Sequence, residues 1–208
     1  MFSTITTPAP ADTATEAARL KGTATERNIV AAFLSESAAY TRYSFYAKQA
    51  AADLFFPVEL AFTLTAENEM HHAKTFFKLL GGGMVKLTTQ VDAGVIASTA
   101  RNLAIASREE RTEGVDTYLA AARQAEIDGF LDIASRFRAM AAIEARHQQR
   151  YDALLVHVKH GTMWIRPNPI TWHCAVCGYE SFGTEPPSSC PACSHPHQHF
   201  LPMDIPWV

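Results

Sequence analysis

The sequence predicts an all-α fold, a four-helix bundle followed by a small cysteine-bearing domain, and three observations lead there. Phe130, Ile133, Phe137, Met140, Glu144, His147, Tyr151, Leu154 and Val158 are spaced alternately three and four residues apart, one continuous stripe down a helix. Two middle members of that apolar stripe are ionisable, and polar residues break three earlier stripes in phase with it. Four cysteines then fall together near the C-terminus, outside any helical pattern.

Thr23-x-x-Glu26 is a capping-box signal, so a first helix is expected from there to about Asp53, with Ile29, Phe33, Glu36, Tyr40, Tyr43 and Ala47 on its inner face. Pro57 suits the first turn of a second helix. Phe62, Ala66, Glu69, Ala73, Phe76 and Leu80 form its stripe, and Gly81-Gly82-Gly83 ends it. A third helix is expected from near Asp92, carrying Leu103, Ala106, Glu110, Glu113 and Tyr118. Gly129 marks the break before the fourth, which stops at His160-Gly161. Connections one-two and three-four are short and imply antiparallel hairpins. Gly81 to Val91, fully extended, reaches roughly 36 Å, about the length of a 24-residue helix, so a crossover along the bundle is feasible.

The domain boundaries expected are a disordered tail over residues 1–22, rich in Ser, Thr, Ala and Pro, and a bundle over 23–160. A linker over 161–171, built around Arg166-Pro167-Asn168-Pro169, leads to a cysteine domain over 172–208. With 208 residues, 48% of them hydrophobic, the chain can bury one sizeable core. A net charge of −3 argues against nucleic acid or an anionic membrane as partner. No apolar run approaches the roughly 20 residues that span a bilayer, and the N-terminus lacks the basic start and apolar middle of a signal peptide. The expected location is cytoplasmic.

Glu69-x-x-His72 and Glu144-x-x-His147 are the two Glu-x-x-His strings in the sequence, and residues three apart share a helix face. Glu36 adds one carboxylate, and Glu110 or Glu113 another, leaving one acid in excess. Bundles that hold two iron or manganese ions use this set: single Glu residues from two helices and Glu-x-x-His from the others. Singly, each feature is ordinary surface or core chemistry. His71 reads as exposed, and Tyr40, Tyr43 and Tyr118 as core aromatics. Together, four acids at one depth in an apolar seam require a shared cation. Carboxylates and imidazoles without thiolate favour iron, with manganese second.

Cys174-x-x-Cys177 and Cys190-x-x-Cys193 have strong metal-site spacing. A zinc ribbon has the same arithmetic. Gly178-Tyr179, Pro191 and an apolar shell of Trp172, Phe182, Phe200 and Trp207 tilt the reading toward one iron. His173, His195, His197 and His199 are expected at the surface, since four thiolates suffice.

From Lys21 to Val208 the chain resembles a rubrerythrin. The resemblance rests on Glu36 through Arg42-Tyr43, Glu69-x-x-His72-Ala73-Lys74, Glu110-x-x-Glu113, Glu144-x-x-His147, Cys174-x-x-Cys177-Gly178-Tyr179 and Cys190-Pro191-x-Cys193. It implies a ferritin-like di-iron bundle with a C-terminal rubredoxin-like domain, hence two non-haem irons plus one Fe(Cys)4, with zinc or manganese as substitutes. The implied activity is reduction of hydrogen peroxide to water. Electrons pass singly from the Fe(Cys)4 centre, supplied by rubredoxin or an NAD(P)H-dependent reductase. By resemblance Glu69 and Glu144 bridge the irons, Glu36 is terminal on the first, and Glu110 and His147 are terminal on the second. Glu113 and His72 exchange on the first iron, the carboxylate when it is ferric. Tyr43 and Tyr118 bond to ligands or peroxide, and a head-to-tail homodimer brings one subunit's Fe(Cys)4 to the other's di-iron site. Ser194 stands where rubredoxins usually have Gly, and Glu109 could take the place of Glu110. The rival functions are a ferroxidase or iron-handling protein, and a structural protein with zinc in both sites.

Overall fold

The computed structural model describes residues 18–86 and 93–207. Four long helical segments form the bundle: α1 (Ala24–Ala52), α2 (Phe56–Leu79), a third made of α3 (Thr99–Glu109), a π-helical stretch (Glu110–Asp116) and α4 (Thr117–Ile127), and α5 (Leu131–His160). The α1 helix packs along α2, and the α3–α4 segment packs along α5. This is the ferritin-like bundle, with a small strand domain after it. The expected helix start near Asp92 lies outside the described residues; the described helix begins at Thr99.

The helix starts follow from local chemistry. Thr23 accepts the Glu26 N–H at 3.0 Å, as the capping box requires. Two aspartates then tie helix ends together. Asp128, after α4, accepts the N–H and hydroxyl of Thr25 at the start of α1 (2.9 and 2.7 Å). Asp53, after α1, accepts the N–H and hydroxyl of Thr99 at the start of α3. Each places a carboxylate at a helix N-terminus, where orphan N–H groups and the dipole favour it.

The core is two apolar clusters, one to each side of a polar layer. One gathers Ile29, Phe76, Tyr118, Phe130, Ile133 and Phe137; the other gathers Tyr43, Tyr46, Phe62, Leu103, Tyr151 and Leu154. Leu20 is 2% exposed in the first cluster, and Arg19 lies over the Phe130 ring. The packed chain therefore begins ahead of residue 22, where the tail was expected to end; residues 1–17 lie outside the described residues. Tyr40, expected on the inner face of α1, is 43% exposed.

The C-terminal domain is a three-stranded antiparallel sheet of order β2-β1-β3, with β1 Ile170–Cys174, β2 Glu180–Gly183 and β3 Phe200–Pro202. The spacer before it is not loose. Met163 is buried in the bundle's second cluster, and Arg166 binds Asp204 through Nε and Nη2 at 2.6 and 3.1 Å. Trp172 and Phe200 form the domain's core with Cys174 and Cys190. Phe182 is 77% exposed on β2, and Trp207 packs against the bundle, so neither belongs to the expected shell.

Candidate metal centres

In the polar layer, α1, α2, α5 and the π-helical segment bring six expected ligands together as two overlapping groups. Glu36, Glu69, His72 and Glu144 form one, and Glu69, Glu110, Glu144 and His147 the other, with ligand atoms within 4.8 Å of one another and every residue buried. The atom pairing assigns the shared residues. His72 Nδ1 lies 2.9 Å from Glu69 Oε2 and 3.0 Å from Glu144 Oε1. His147 Nδ1 lies 3.1 Å from Glu69 Oε1 and 2.8 Å from Glu144 Oε2. Each of these two carboxylates thus gives one oxygen to each side.

Those separations suit metal ligands. Two ligands at right angles, each about 2.1 Å from an ion, stand about 3.0 Å apart. Glu69 Oε1, both oxygens of Glu144 and His147 Nδ1 have no hydrogen-bond partner among the described residues. Orphaned buried acceptors converging on one volume fit a pair of cations, which would otherwise leave a costly desolvation unanswered. Four carboxylates and two neutral imidazoles balance two divalent ions.

The outer contacts fix orientation. The Tyr43 hydroxyl donates to Glu110 Oε1 at 2.8 Å, and the Tyr118 hydroxyl donates to Glu36 Oε1. Burial and neighbouring carboxylates hold both phenols well above their ordinary pKa, so they stay neutral donors. Burial likewise raises Glu36 and Glu110, with Glu69 adding to both. The Asn68 amide is 3.1 Å from Nε2 of His147. Asn68 turns its Nδ2 to that nitrogen here; with Nδ1 on a metal, Nε2 would carry the proton and the amide would flip to present its oxygen.

Glu113 is not brought to either group. It is exposed, and Ser35 donates to its Oε2 at 3.4 Å. The spacing argument assumed an α-helix, in which Glu110 and Glu113 share a face. In the π-helical stretch hydrogen bonds reach one residue further, the turn widens, and residues three apart diverge. Glu109, the rival for the Glu110 position, is buried as the ion-pair partner of Arg42. His71 is exposed. Asn68 had no distinguishing sequence signal as a site residue, since single polar residues beside a ligand are common on any helix, and nothing in the sequence paired Arg42 with Glu109.

In the small domain Cys174, Cys177, Cys190 and Cys193 converge within 4.8 Å. The Cys174–Cys193 and Cys177–Cys190 sulfurs are 3.7 and 3.6 Å apart, close to the edge of about 3.8 Å for four thiolates on one ion. Burial pushes the Cys190 thiol up, but the N–H groups of Cys193 and Ala192 pull it down to about 7. Ser194 has φ +63°, a left-handed conformation that explains the usual Gly at that turn. His173, His195, His197 and His199 are half-buried: His199 stacks on Phe56 of α2 at 3.9 Å, and His197 meets Trp164 edge-on.

Known proteins share both parts. The rubrerythrin family model matches residues 27–155 and 101–174, and that of the rubrerythrin rubredoxin-like domain matches 172–201. Rubrerythrin of Porphyromonas gingivalis is 44% identical over 184 residues, 88% of this chain and 92% of the relative. Rubrerythrin of Nitratidesulfovibrio vulgaris is 38% identical over 188 residues, 90% and 98% of the two chains. Among solved structures, nigerythrin in a mixed-valent state aligns with TM-score 0.60 at 26% identity, covering 87% of this chain and 86% of that one. Its fully reduced, all-ferrous state aligns with TM-score 0.59. Bundle ligands, four-thiolate module and relatives agree, and the chain belongs to the rubrerythrin family of iron-binding oxidoreductases.

Proposed function

We propose that this protein reduces hydrogen peroxide to water, with electrons passed singly from the four-thiolate centre and drawn from rubredoxin or an NAD(P)H-dependent reductase. The observation that carries the reading is a redox module fused to a buried carboxylate–imidazole pair, since a ferroxidase needs no built-in electron port. When bound by these residues, two irons would supply the two electrons that peroxide takes up. The protein's part is to hold them and manage charge and protons. Glu69 and Glu144, each with one oxygen toward either histidine, would hold the two ions. The neutral phenols of Tyr43 and Tyr118 hold Glu110 and Glu36 in place through donated hydrogen bonds. Glu113, outside while His72 is inside, would bring one more negative charge to the site in exchange for His72 when the ions are oxidised.

Delivery of electrons is proposed to come from a second copy. The small domain touches its own bundle at Phe56, and Glu69 lies 13 residues further along α2, about 20 Å away. A head-to-tail homodimer shortens that path.

Cys174→Ser, assayed with NADH, a reductase and hydrogen peroxide, separates this from iron handling. The reading expects multiple turnover to fall at least tenfold, while peroxide still oxidises the reduced bundle irons once. Unchanged turnover defeats it. Fast iron oxidation and retention of a mineral, with no gain from the reductase, would favour the ferroxidase.

A further inference from the structure

Behind His147, on its Nε2 side, lies a cavity of about 300 Å³ walled by Leu64, Asn68, Arg146, His147, Arg150 and Trp207. Its polar wall is made mostly of donors. Arg150 is 5% exposed. Its Nε donates to the Pro206 carbonyl at 3.2 Å, and its Nη1 has no hydrogen-bond partner among the described residues. The groups that bear on it are the Tyr151 phenol, which burial keeps neutral, and Glu110, whose oxygens are directed to Tyr43 and to His147. Once Glu110 serves a metal ion, its charge is spent there and the guanidinium is left without a counter-charge. Arg146, one turn earlier on α5 and exposed, adds a second guanidinium at the rim.

A buried cation is held by an opposite charge or a full set of acceptors. Guanidinium forks bind planar oxyanions through paired N–H donors. The Leu64 and Trp207 walls leave room for a small apolar body beside the charged end. We infer that this cavity binds a small planar monoanion, of the carboxylate or nitrate kind, seated behind the metal-ligating His147. The bound anion sits next to the Asn68–His147 contact and makes the imidazole a stronger donor to its metal, so it acts on the second centre without touching the ion. The inference requires His147 to face the metal through Nδ1; it does not require the protein to reduce peroxide.

The test uses the full-length, iron-loaded protein. Sodium formate and sodium nitrate are titrated separately, at ionic strength matched with sodium chloride, and read by calorimetry and by the visible spectrum. The wild type should show saturable one-to-one binding of at least one of the two, with a shift in the bands of the bundle irons and none in those of the four-thiolate centre. Formate alone or nitrate alone would narrow the class. Arg146→Gln should weaken binding roughly tenfold, the worth of a hydrogen bond to a charged group, and Arg150→Met should abolish it. If Arg150→Met fails to fold for want of its Pro206 contact, the rim variant decides alone. Absence of saturable binding beyond chloride, or equal affinity in wild type and Arg146→Gln, overturns the inference.

Discussion

Gly114 lies against the stem of Glu144: a β-carbon added at Gly114 would stand 2.6 Å from Cγ and 2.7 Å from Cβ of that glutamate. The π-helical segment and α5 approach closely because this position has no side chain, and Glu144 is one of the two carboxylates shared between the ion positions. Gly114→Ala must push Glu144 or the π turn aside, at a cost of about 1–3 kcal/mol for overpacking. It should bind fewer than two bundle irons per chain while keeping the four-thiolate iron. Metal analysis of the purified variant, with thermal unfolding alongside, checks both; full occupancy would show that the close contact does not set the position of Glu144.

Asn68 has no metal-binding role of its own, yet it meets the outer nitrogen of His147. Asn68→Leu should lower affinity for the second bundle ion by about 10–100-fold, as outer hydrogen-bond partners of ligating histidines do. Competition with a chelator measures this. An unchanged affinity would place the orienting role elsewhere.

Glu109 and Glu110 are adjacent but do different work. Glu109→Ala leaves the half-buried Arg42 without that partner, at a cost of about 1–3 kcal/mol. Metal content should stay at the wild-type level, because Glu109 belongs to neither group. Glu110→Ala should reverse the pattern, with weaker metal binding and a smaller stability loss in the metal-free protein. Denaturant unfolding and metal analysis of the pair test the assignment.

Without metal, the site makes stability depend on pH in a defined direction. Burial pushes the His72 imidazole down, but Glu144 and Glu69 outweigh it and raise it to about 9. A raised folded-state pKa gives stability that is complete below the unfolded value, near 6.5, and lost as pH rises through about 9. Glu36 and Glu110, raised by burial, act in the same direction. Glu69 has the opposite sign: burial raises it, but His147 and His72 lower it to about 2, so its contribution is lost as pH falls from about 4.5 toward 2. Metal-free protein should therefore lose of order 2–3 kcal/mol between pH 6.5 and 9. Urea unfolding at a series of pH values measures it, and a flat profile would contradict the charge pairing. Metal binding should run the other way, strengthening with pH as the imidazoles lose their protons.

The bundle was legible in the sequence because its signals are local. The capping box at Thr23, the stripe of α5 and the glycine after His160 depend on neighbours a few residues away, and the six residues that the structure gathers in the polar layer follow from counting along α-helical faces. Glu113 escaped that counting because the helix changes period at Glu110, and nothing in Glu110–Asp116 announces a wider turn. The contacts of Arg19, Asn68 and Arg42 were invisible for another reason: each is made across elements, with Phe130, His147 and Glu109 far away in the chain. His199 and His197 are partly covered from outside the small domain, by Phe56 and Trp164, which spacing within the domain does not show.

Anomalous diffraction from crystals of the iron-loaded protein is the most direct test of the site. Two peaks are expected in the bundle, about 3.5–4 Å apart, each touching one oxygen of Glu69 and one of Glu144, with a third among Cys174, Cys177, Cys190 and Cys193. A single bundle peak, or peaks not spanned by Glu69 and Glu144, would contradict it.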